Sequence, residues 1–394
     1  MSSSSVSDTA IVSTPGINQP SLSLSTRWRW LKVNWRNRLL MHPTFQRWSA
    51  RLPLIRFIAN KHATDLHHIT AGFVYSQVLQ ACVQLNVFSR LQAGPVHTDS
   101  LAASGELPID GWLTLLRAAA SLELLEQVES DFWALGRLGA AMAAFPGISA
   151  MVNHHALLYR DLVDPVQALQ ERRSTQLSQF WSYAEGQTGA ESAERYSELM
   201  AESLDIIADH ILDACNLKEA QHLLDIGGGT GRFASLALAR HKKLIATVAD
   251  LPDVVNSPEA KKRQSVHSGL RFVGVNALKE PLPTGADVIS LVRILHDHDD
   301  DKALLMIKAA RRALHDGGQI IVAEPMAETP GAEAIGHAYF GLYLWAMRSG
   351  RPRTFRELGQ LLRAGGFSDV REHTSHMPAL VRVVSASAIY DKNY

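Results

Sequence analysis

Apolar residues recur at intervals of three and four from about His67 to Cys215, the spacing of helices buried on one face. The clearest run, Ile69-Thr70-Ala71-Gly72-Phe73-Val74-Tyr75-Ser76-Gln77-Val78-Leu79, continues through Cys82, Leu85, Val87 and Phe88. Pro108, Gly111, Pro146 and Pro165 mark breaks between helices. Leu101 to Leu125 predicts a short helix pair feeding a strand over Leu125–Val128. Near Ala220 the period changes. Short apolar strands now alternate with helical segments, the pattern of a parallel sheet with crossover helices. Strands are predicted over His222–Ile226, Leu244–Asp250, Arg271–Val275, Asp287–Leu295 and Gln319–Glu324. Helices are predicted over Arg232–Arg240, Asp300–Leu314, Glu333–Ser349 and Thr354–Ala364, and a hairpin from Ser368 to Tyr390. The expected fold class is α/β: a Rossmann-like domain at residues 216–394, preceded by a helical module at residues 67–215.

Two further segments come before the module. Residues 1–26 are rich in Ser, Thr and Pro and lack the apolar core of a secretion signal, so they read as a disordered tail. Residues 27–66 form a basic arm. No acidic residue stands between Asp8 and Asp65, while Arg27, Arg29, Lys32, Arg36, Arg38, Arg47, Arg51, Arg56 and Lys61 do. Trp28, Trp30, Trp35 and Trp48 are interleaved with them. This mixture suits a lipid interface, where indole sits at headgroup level and guanidinium meets phosphate, or a contact with a partner subunit. Single-stranded nucleic acid is a third reading. Formal net charge is zero and the module shows no basic recognition face, which argues against a nucleic-acid partner. Cys82 and Cys215 lie in apolar contexts without metal spacing, as buried thiols in a reducing compartment do, and no metal site is expected. No stretch is apolar enough to span a bilayer. The expectation is a cytoplasmic protein, with peripheral attachment to the cytoplasmic face of the membrane through the arm left open.

Two constellations carry chemistry. The first is Asp225-Ile226-Gly227-Gly228-Gly229-Thr230-Gly231, which follows a strand and opens a helix. Asp250 ends the next strand, where a carboxylate can accept from ribose hydroxyls. Nicotinamide enzymes share these features. Asp225 favours another ligand: a carboxylate there repels a pyrophosphate but orients a cofactor bearing an ammonium group, such as S-adenosyl-L-methionine. The second is Leu291-Val292-Arg293-Ile294-Leu295-His296-Asp297-His298-Asp299-Asp300, at the carboxyl end of the fourth strand. His296 there can take a proton from an attacking hydroxyl. Glu324, ending the fifth strand, is expected to hold and polarise the imidazole. A helix-capping role for His296 is the alternative. His298 reads as a solvated loop residue, and Asp299 and Asp300 as helix-start carboxylates.

The strings "LDIGGGTG", "ADLPDVV", "LHDHDDDKA", "IVAEPM" and "RTFRELGQLLRAGGF" resemble those of the small-molecule O-methyltransferases of the plant caffeate type and their bacterial relatives. The resemblance runs from about His67 onward. It implies a helical, winged-helix-like dimerisation domain, a class I methyltransferase domain and a homodimer. The cofactor set it implies, with the motif residues, is Asp225, Gly227, Gly229, Asp250, Leu251, Asn276, Ala277 and Arg293. The catalytic set is His296 with Asp297 and Glu324. The chain departs from the family at Asn276-Ala277, near the adenine, and at Pro352, where the family has a second acidic support for the histidine. A narrower resemblance, to bacterial O-methyltransferases acting on hydroxycarotenoids such as hydroxyneurosporene and demethylspheroidene, rests on the arm, "AGFVYSQVL", "HHALLYRDLVDP" and "HAYFGLYLWAMRSGRPR". It implies a polyene acceptor with a tertiary hydroxyl, made in a photosynthetic membrane. Candidate acceptor-wall residues are Tyr75, His155, Tyr159, Phe180, Met326, His337, Phe340, Tyr343, Trp345 and Met347. Rival readings are a methyltransferase of a phenol, a polyketide or a chlorin carbon, and a nicotinamide oxidoreductase.

Overall fold

The computed structural model describes residues 23–49, 51, 53–170, 174–181, 204–205 and 207–389, in two units, Met1–Ser76 and Gln77–Tyr394. Most of the expected tail and residue 390 of the expected hairpin lie outside the described residues. The first unit extends ten residues past the arm boundary expected at residue 66. Its helices are Leu24–Met41, Pro43–Ser49 and the start of Pro53–Gln84. Ser23 caps the first of these, its hydroxyl accepting the Thr26 amide at 3.3 Å, so the last residues assigned to the tail are helical. No residue of helix Leu24–Met41 is buried.

The second unit opens with the module. Strands β1 (Val96–His97), β2 (Leu125–Glu129) and β3 (Phe132–Leu135) form a small sheet in the order β1-β3-β2. Helices Thr98–Ala102 and Ile109–Ser121 set Leu101, Trp112, Leu116 and Ala119 against Trp133, whose indole donates to Thr98 Oγ1 at 2.9 Å. Gly111, expected at a break, sits inside the second helix; Pro108 is its N-cap.

The remaining strands are β4 (His222–Ile226), β5 (Ile245–Asp250), β6 (Leu270–Gly274), β7 (Ala286–Val292), β8 (Leu314–Glu324), β9 (Phe367–His373) and β10 (Arg382–Ala388). They form one sheet in the order β6-β5-β4-β7-β8-β10-β9. The first five are parallel, and β10 runs antiparallel to both β8 and β9. One face is covered by helices Asp300–Ala313 and Phe355–Ala364, which bury Ala303, Ile307, Ala310, Leu358 and Leu362. The other is covered by helix Arg232–Arg240 and by Ile207, Ile211 and Leu212. Strand order reverses beside β4, so the carboxyl ends of β4, β5 and β7 open onto one crevice.

Two predicted elements change character where the site lies. The strand expected to reach Leu295 stops at Val292, because Arg293 takes a left-handed φ of +59° and the chain drops into a 3-10 turn, Leu295–Asp297. The helix expected over Glu333–Ser349 begins as a π-helical turn, Ile335–Phe340, before the α-helix Gly341–Met347. Such turns insert an extra residue and shift which side chains share a face.

Candidate active site

Strand β4 delivers the chain to the glycine turn. Gly227 stands at φ +69°, and a Cβ there would lie 2.5 Å from Ile294 Cδ1, so only glycine fits. The Gly229 amide donates to Asp250 Oδ2 at 2.7 Å, and the space beside its Cα is open. The Leu251 amide donates to Asp250 Oδ1 at 2.7 Å. Asp225 is buried beneath Gly228. The Ser290 hydroxyl donates to Asp225 Oδ1 at 2.6 Å, while Oδ2 is buried without a partner among the described residues. Burial raises the Asp225 carboxyl to about 7; the Ser290 hydrogen bond opposes the rise and the Asp250 charge adds to it. Burial raises Asp250 too, against its two amide donors.

These groups border a cavity of about 340 Å³, large enough for a small organic ligand. Gly227, Gly229, Leu251, Asn276, Ala277 and Arg293, all expected at the cofactor, line it as well. Asn276 is held by a local turn. Its Oδ1 accepts the Leu278 amide at 3.0 Å in a local turn, so its amide NH2 is the group left to donate.

The second constellation is organised by its backbone. Glu324, with no exposed surface at the end of β8, accepts the His296 amide at 3.0 Å through Oε2. This corrects the expected role: the carboxylate fixes the main chain of the turn and does not hold the imidazole. Burial raises Glu324 to about 7, with Arg353 and the His296 and Leu295 amides pulling the other way. The imidazole is buried, with Nε2 3.3 Å from Asp297 Oδ1 and Nδ1 without a partner among the described residues. Burial, aided by the Arg293 and Arg353 charges, pushes His296 down to about 3 despite a hydrogen bond to the Arg293 backbone. Burial pushes Asp297 up to about 8. The ring is therefore neutral at neutral pH, with a proton-bearing carboxyl beside it. Asp297 and His298 line the cavity, whereas His296 does not. His298 is thus no solvated loop residue: it is half-buried, and burial lowers it to about 4.

Sequence reasoning missed what grips this turn. Arg353 has no exposed surface; it donates to the Leu295 carbonyl at 2.6 Å, the His298 carbonyl at 2.7 Å and Asp300 Oδ1 at 2.9 Å. Ser349 Oγ donates to the Asp297 carbonyl at 2.6 Å and the Arg351 amide to the His296 carbonyl at 3.0 Å. Asp299 accepts the Gly350 amide at 3.1 Å, and Asp300 pairs with Arg351 and Arg353. The two carboxylates do more than favour a helix start: they tie the turn to residues 350–353. Gly350 sits at φ +80°, and a Cβ there would lie 2.0 Å from the His296 carbonyl oxygen. The available signal was the glycine after the aromatic run, followed by an arginine before the capping Thr354.

An O-methyltransferase domain model matches residues 159–368, and an O-methyltransferase dimerisation domain model matches residues 67–144. The chain belongs to the O-methyltransferase family. It is 38% identical to a demethylspheroidene O-methyltransferase of Cereibacter sphaeroides, over 87% of this chain and 91% of that one. Its identity to the enzyme of the same name from Rhodobacter capsulatus is 36%, over 90% of each chain. Acetylserotonin O-methyltransferase of Mus musculus is 29% identical over 78% of this chain and 83% of that one. In fold, the chain matches human N-acetylserotonin methyltransferase in complex with SAM at a TM-score of 0.71 and 24% identity, covering 84% of this chain and 98% of that one.

Membership decides between the methyl donor and a nicotinamide, and the site fits S-adenosyl-L-methionine. Asp225 and Asp250 border the part-closed cavity, Asp225 with an orphaned oxygen, and their ionised forms suit a cation; this cofactor carries an ammonium and a sulfonium. Helix Arg232–Arg240 starts at Gly231 without a side-chain cap, so its first amides are available to a carboxylate.

The acceptor-wall candidates divide. His155, Tyr159 and Phe340 are half-buried, and the Phe340 ring centroid lies 5.8 Å from that of His296. Tyr343, Met326 and Met347 are core residues. Phe180 packs on His154, and the Trp345 indole donates to the Ala168 carbonyl at 2.7 Å. His337 is exposed on the π-turn. Tyr75 falls in the first unit, where its ring meets His68.

Two outcomes follow from this geometry. Cofactor affinity is expected to fall as pH drops through about 7, because a protonated Asp225 no longer attracts the cation. Calorimetric titration with S-adenosyl-L-methionine between pH 8 and 5 measures this, and Asp225→Asn should bind roughly 10–100-fold more weakly with the pH dependence flattened. Arg353→Met leaves two carbonyls without their donor and is expected to lower stability by about 2–5 kcal/mol in denaturant unfolding. Turnover should fall further than the unfolded fraction explains, and cofactor affinity should hold.

Proposed function

We propose that this O-methyltransferase methylates the tertiary hydroxyl of a hydroxycarotenoid of the demethylspheroidene type, in carotenoid biosynthesis. The carrying observation is that both demethylspheroidene enzymes align over about nine-tenths of this chain at 36–38% identity, above the 29% of the acetylserotonin enzyme. The half-buried Phe340 ring beside His296 supports an apolar acceptor.

Asp225, Asp250, the glycine turn and Arg293 hold the cofactor, which when bound supplies a methyl group already activated on sulfur. The chain's largest contribution is alignment, up to roughly 7–11 kcal/mol for well-placed groups. His296 takes the acceptor's proton, with Asp297 beside its Nε2 and Glu324 steadying its backbone. An imidazole held near 3 cannot draw a proton from a free alcohol. It can accept one from the strongly acidic oxygen formed once that oxygen carries the methyl. Proton transfer therefore accompanies or follows methyl transfer.

The protein acts as a homodimer in this reading. Ile69 and Phe73, inside the stretch matched by the dimerisation model, are 78% and 70% exposed in the single chain, and a second copy covers them. The arm serves the membrane in which such a polyene dissolves. On helix Leu24–Met41 the residues Leu24, Trp28, Leu31 and Trp35 recur at three and four, with Arg27 and Arg38 on one flank and Lys32 and Arg36 on the other. The protein is otherwise cytoplasmic in this reading.

His296→Ala should lower turnover on demethylspheroidene by about 10²–10⁴-fold, with S-adenosylhomocysteine affinity unchanged. Near-wild-type turnover would leave His296 a positioning residue. Replacing Arg27, Arg29, Lys32, Arg36 and Arg38 by Gln should release the protein from anionic vesicles at low salt, at about 1 kcal/mol per charge. If the wild type ignores such vesicles, the arm is a subunit contact.

A further inference from the structure

Two histidine–tyrosine hydrogen bonds join the helix Pro146–Asp161 to the aromatic helix. His154 and His155 are neighbours on the first; Tyr339 and Tyr343 are four residues apart across the junction of the π-turn and the α-helix. The inner pair is a structural bolt. Tyr343 Oη meets His154 Nε2 at 2.7 Å and accepts the Trp181 indole N–H at 3.0 Å, and all three residues are buried. The outer pair is built differently. Tyr339 Oη meets His155 Nε2 at 2.7 Å, both residues are half-buried, and the phenol has no second partner among the described residues. A phenol oxygen carries one proton and two lone pairs, so part of its hydrogen-bonding capacity is open.

Its surroundings place this open position near the chemistry. The Arg293 charge acts on the Tyr339 phenol and on the His296 imidazole alike. The Phe340 ring lies 4.9 Å from the Tyr339 ring and 5.8 Å from the His296 ring. Phe340 itself offers no hydrogen bond. A hydroxyl brought into such surroundings loses its water and needs a partner, and a site that supplies one discriminates sharply against ligands lacking the group.

We propose that Tyr339, steadied by His155, is the positioning contact for the acceptor: its phenol oxygen hydrogen-bonds the acceptor's hydroxyl and turns a lone pair of that oxygen toward the transferable methyl. The acceptor class that fits is an apolar molecule whose hydroxyl stands at the reacting end. This rests on the acceptor reading given above.

The test uses the full-length protein, a labelled methyl donor and demethylspheroidene in detergent, with the same polyene lacking its hydroxyl as a competitive inhibitor. Tyr339→Phe should lower kcat/KM about five- to tenfold, mostly through KM, the effect of one neutral hydrogen bond. Its Tm and its inhibition by the hydroxyl-free polyene should match the wild type. His155→Gln, which can still hydrogen-bond the phenol, should retain most of the activity. An unchanged kcat/KM in Tyr339→Phe overturns the inference. So does an equal loss of affinity for the hydroxylated and hydroxyl-free polyenes, which would make the ring a packing contact. A wild type that methylates no hydroxycarotenoid defeats the acceptor reading and this inference with it, and that result appears before any variant is made.

Discussion

The site depends on one buried cation. Arg353 has lost all its water, and it recovers hydrogen bonds from two backbone carbonyls, Leu295 and His298, and from the carboxylate of Asp300. Those carbonyls bracket the His296 turn. A guanidinium suits this task because its donors form a rigid planar fork, so one side chain fixes three acceptors at once. From above, Glu324 fixes the amide of the same turn. The turn is thus held at its N–H groups by an anion and at its C=O groups by a cation. Gly350 is the complement of this arrangement: the gripping segment approaches so closely that no side chain fits between it and the His296 carbonyl.

Burial also sets the charge states. Asp225, Asp297 and Glu324 are all raised, and His296 is lowered, with desolvation the largest cause in each case. Before ligands arrive, the crevice therefore tolerates neutral acids and a neutral imidazole better than their ions. A cationic cofactor reverses this balance for Asp225 and Asp250, since each ionised form then gains a partner. The family's cofactor and this pattern of buried acids are consistent on physical grounds as well as by membership.

Much of this was legible in the chain. The alternation after Ala220 located every strand of the main sheet to within a few residues, because parallel strands buried on both faces are continuous apolar runs bounded by turn residues. That the glycine turn and the acid ending the next strand would meet at one crevice could be read because both are local in sequence. The arginine grip could not: Arg353 lies 57 positions beyond His296, and a lone arginine before a helix cap looks like any surface charge. Glu324 was placed correctly at the strand end but given the wrong donor, since sequence spacing does not say whether a carboxylate meets a ring or an amide. Pro352 marked a lost acid, and only the fold shows that its neighbours hold the turn by other means. The π-turn was equally hidden, because its extra residue leaves composition and apolar spacing nearly unchanged.

The weak basicity of the buried His296 suits the tertiary alcohol proposed as acceptor. A tertiary alcohol holds its proton too tightly for any side chain to remove beforehand at neutral pH, so a more basic histidine would not generate an alkoxide either. What such an alcohol needs is a fixed orientation for its lone pair and somewhere for the proton to go once the oxygen has become positive. A weakly basic, neutral imidazole in a dry turn meets the second need, because it stays unprotonated until that moment. Arg293 and Arg353 contribute to this by keeping the ring neutral in the resting protein. Arg353 therefore acts on this turn twice, through its backbone carbonyls and, with burial the larger cause, through the charge state of its imidazole.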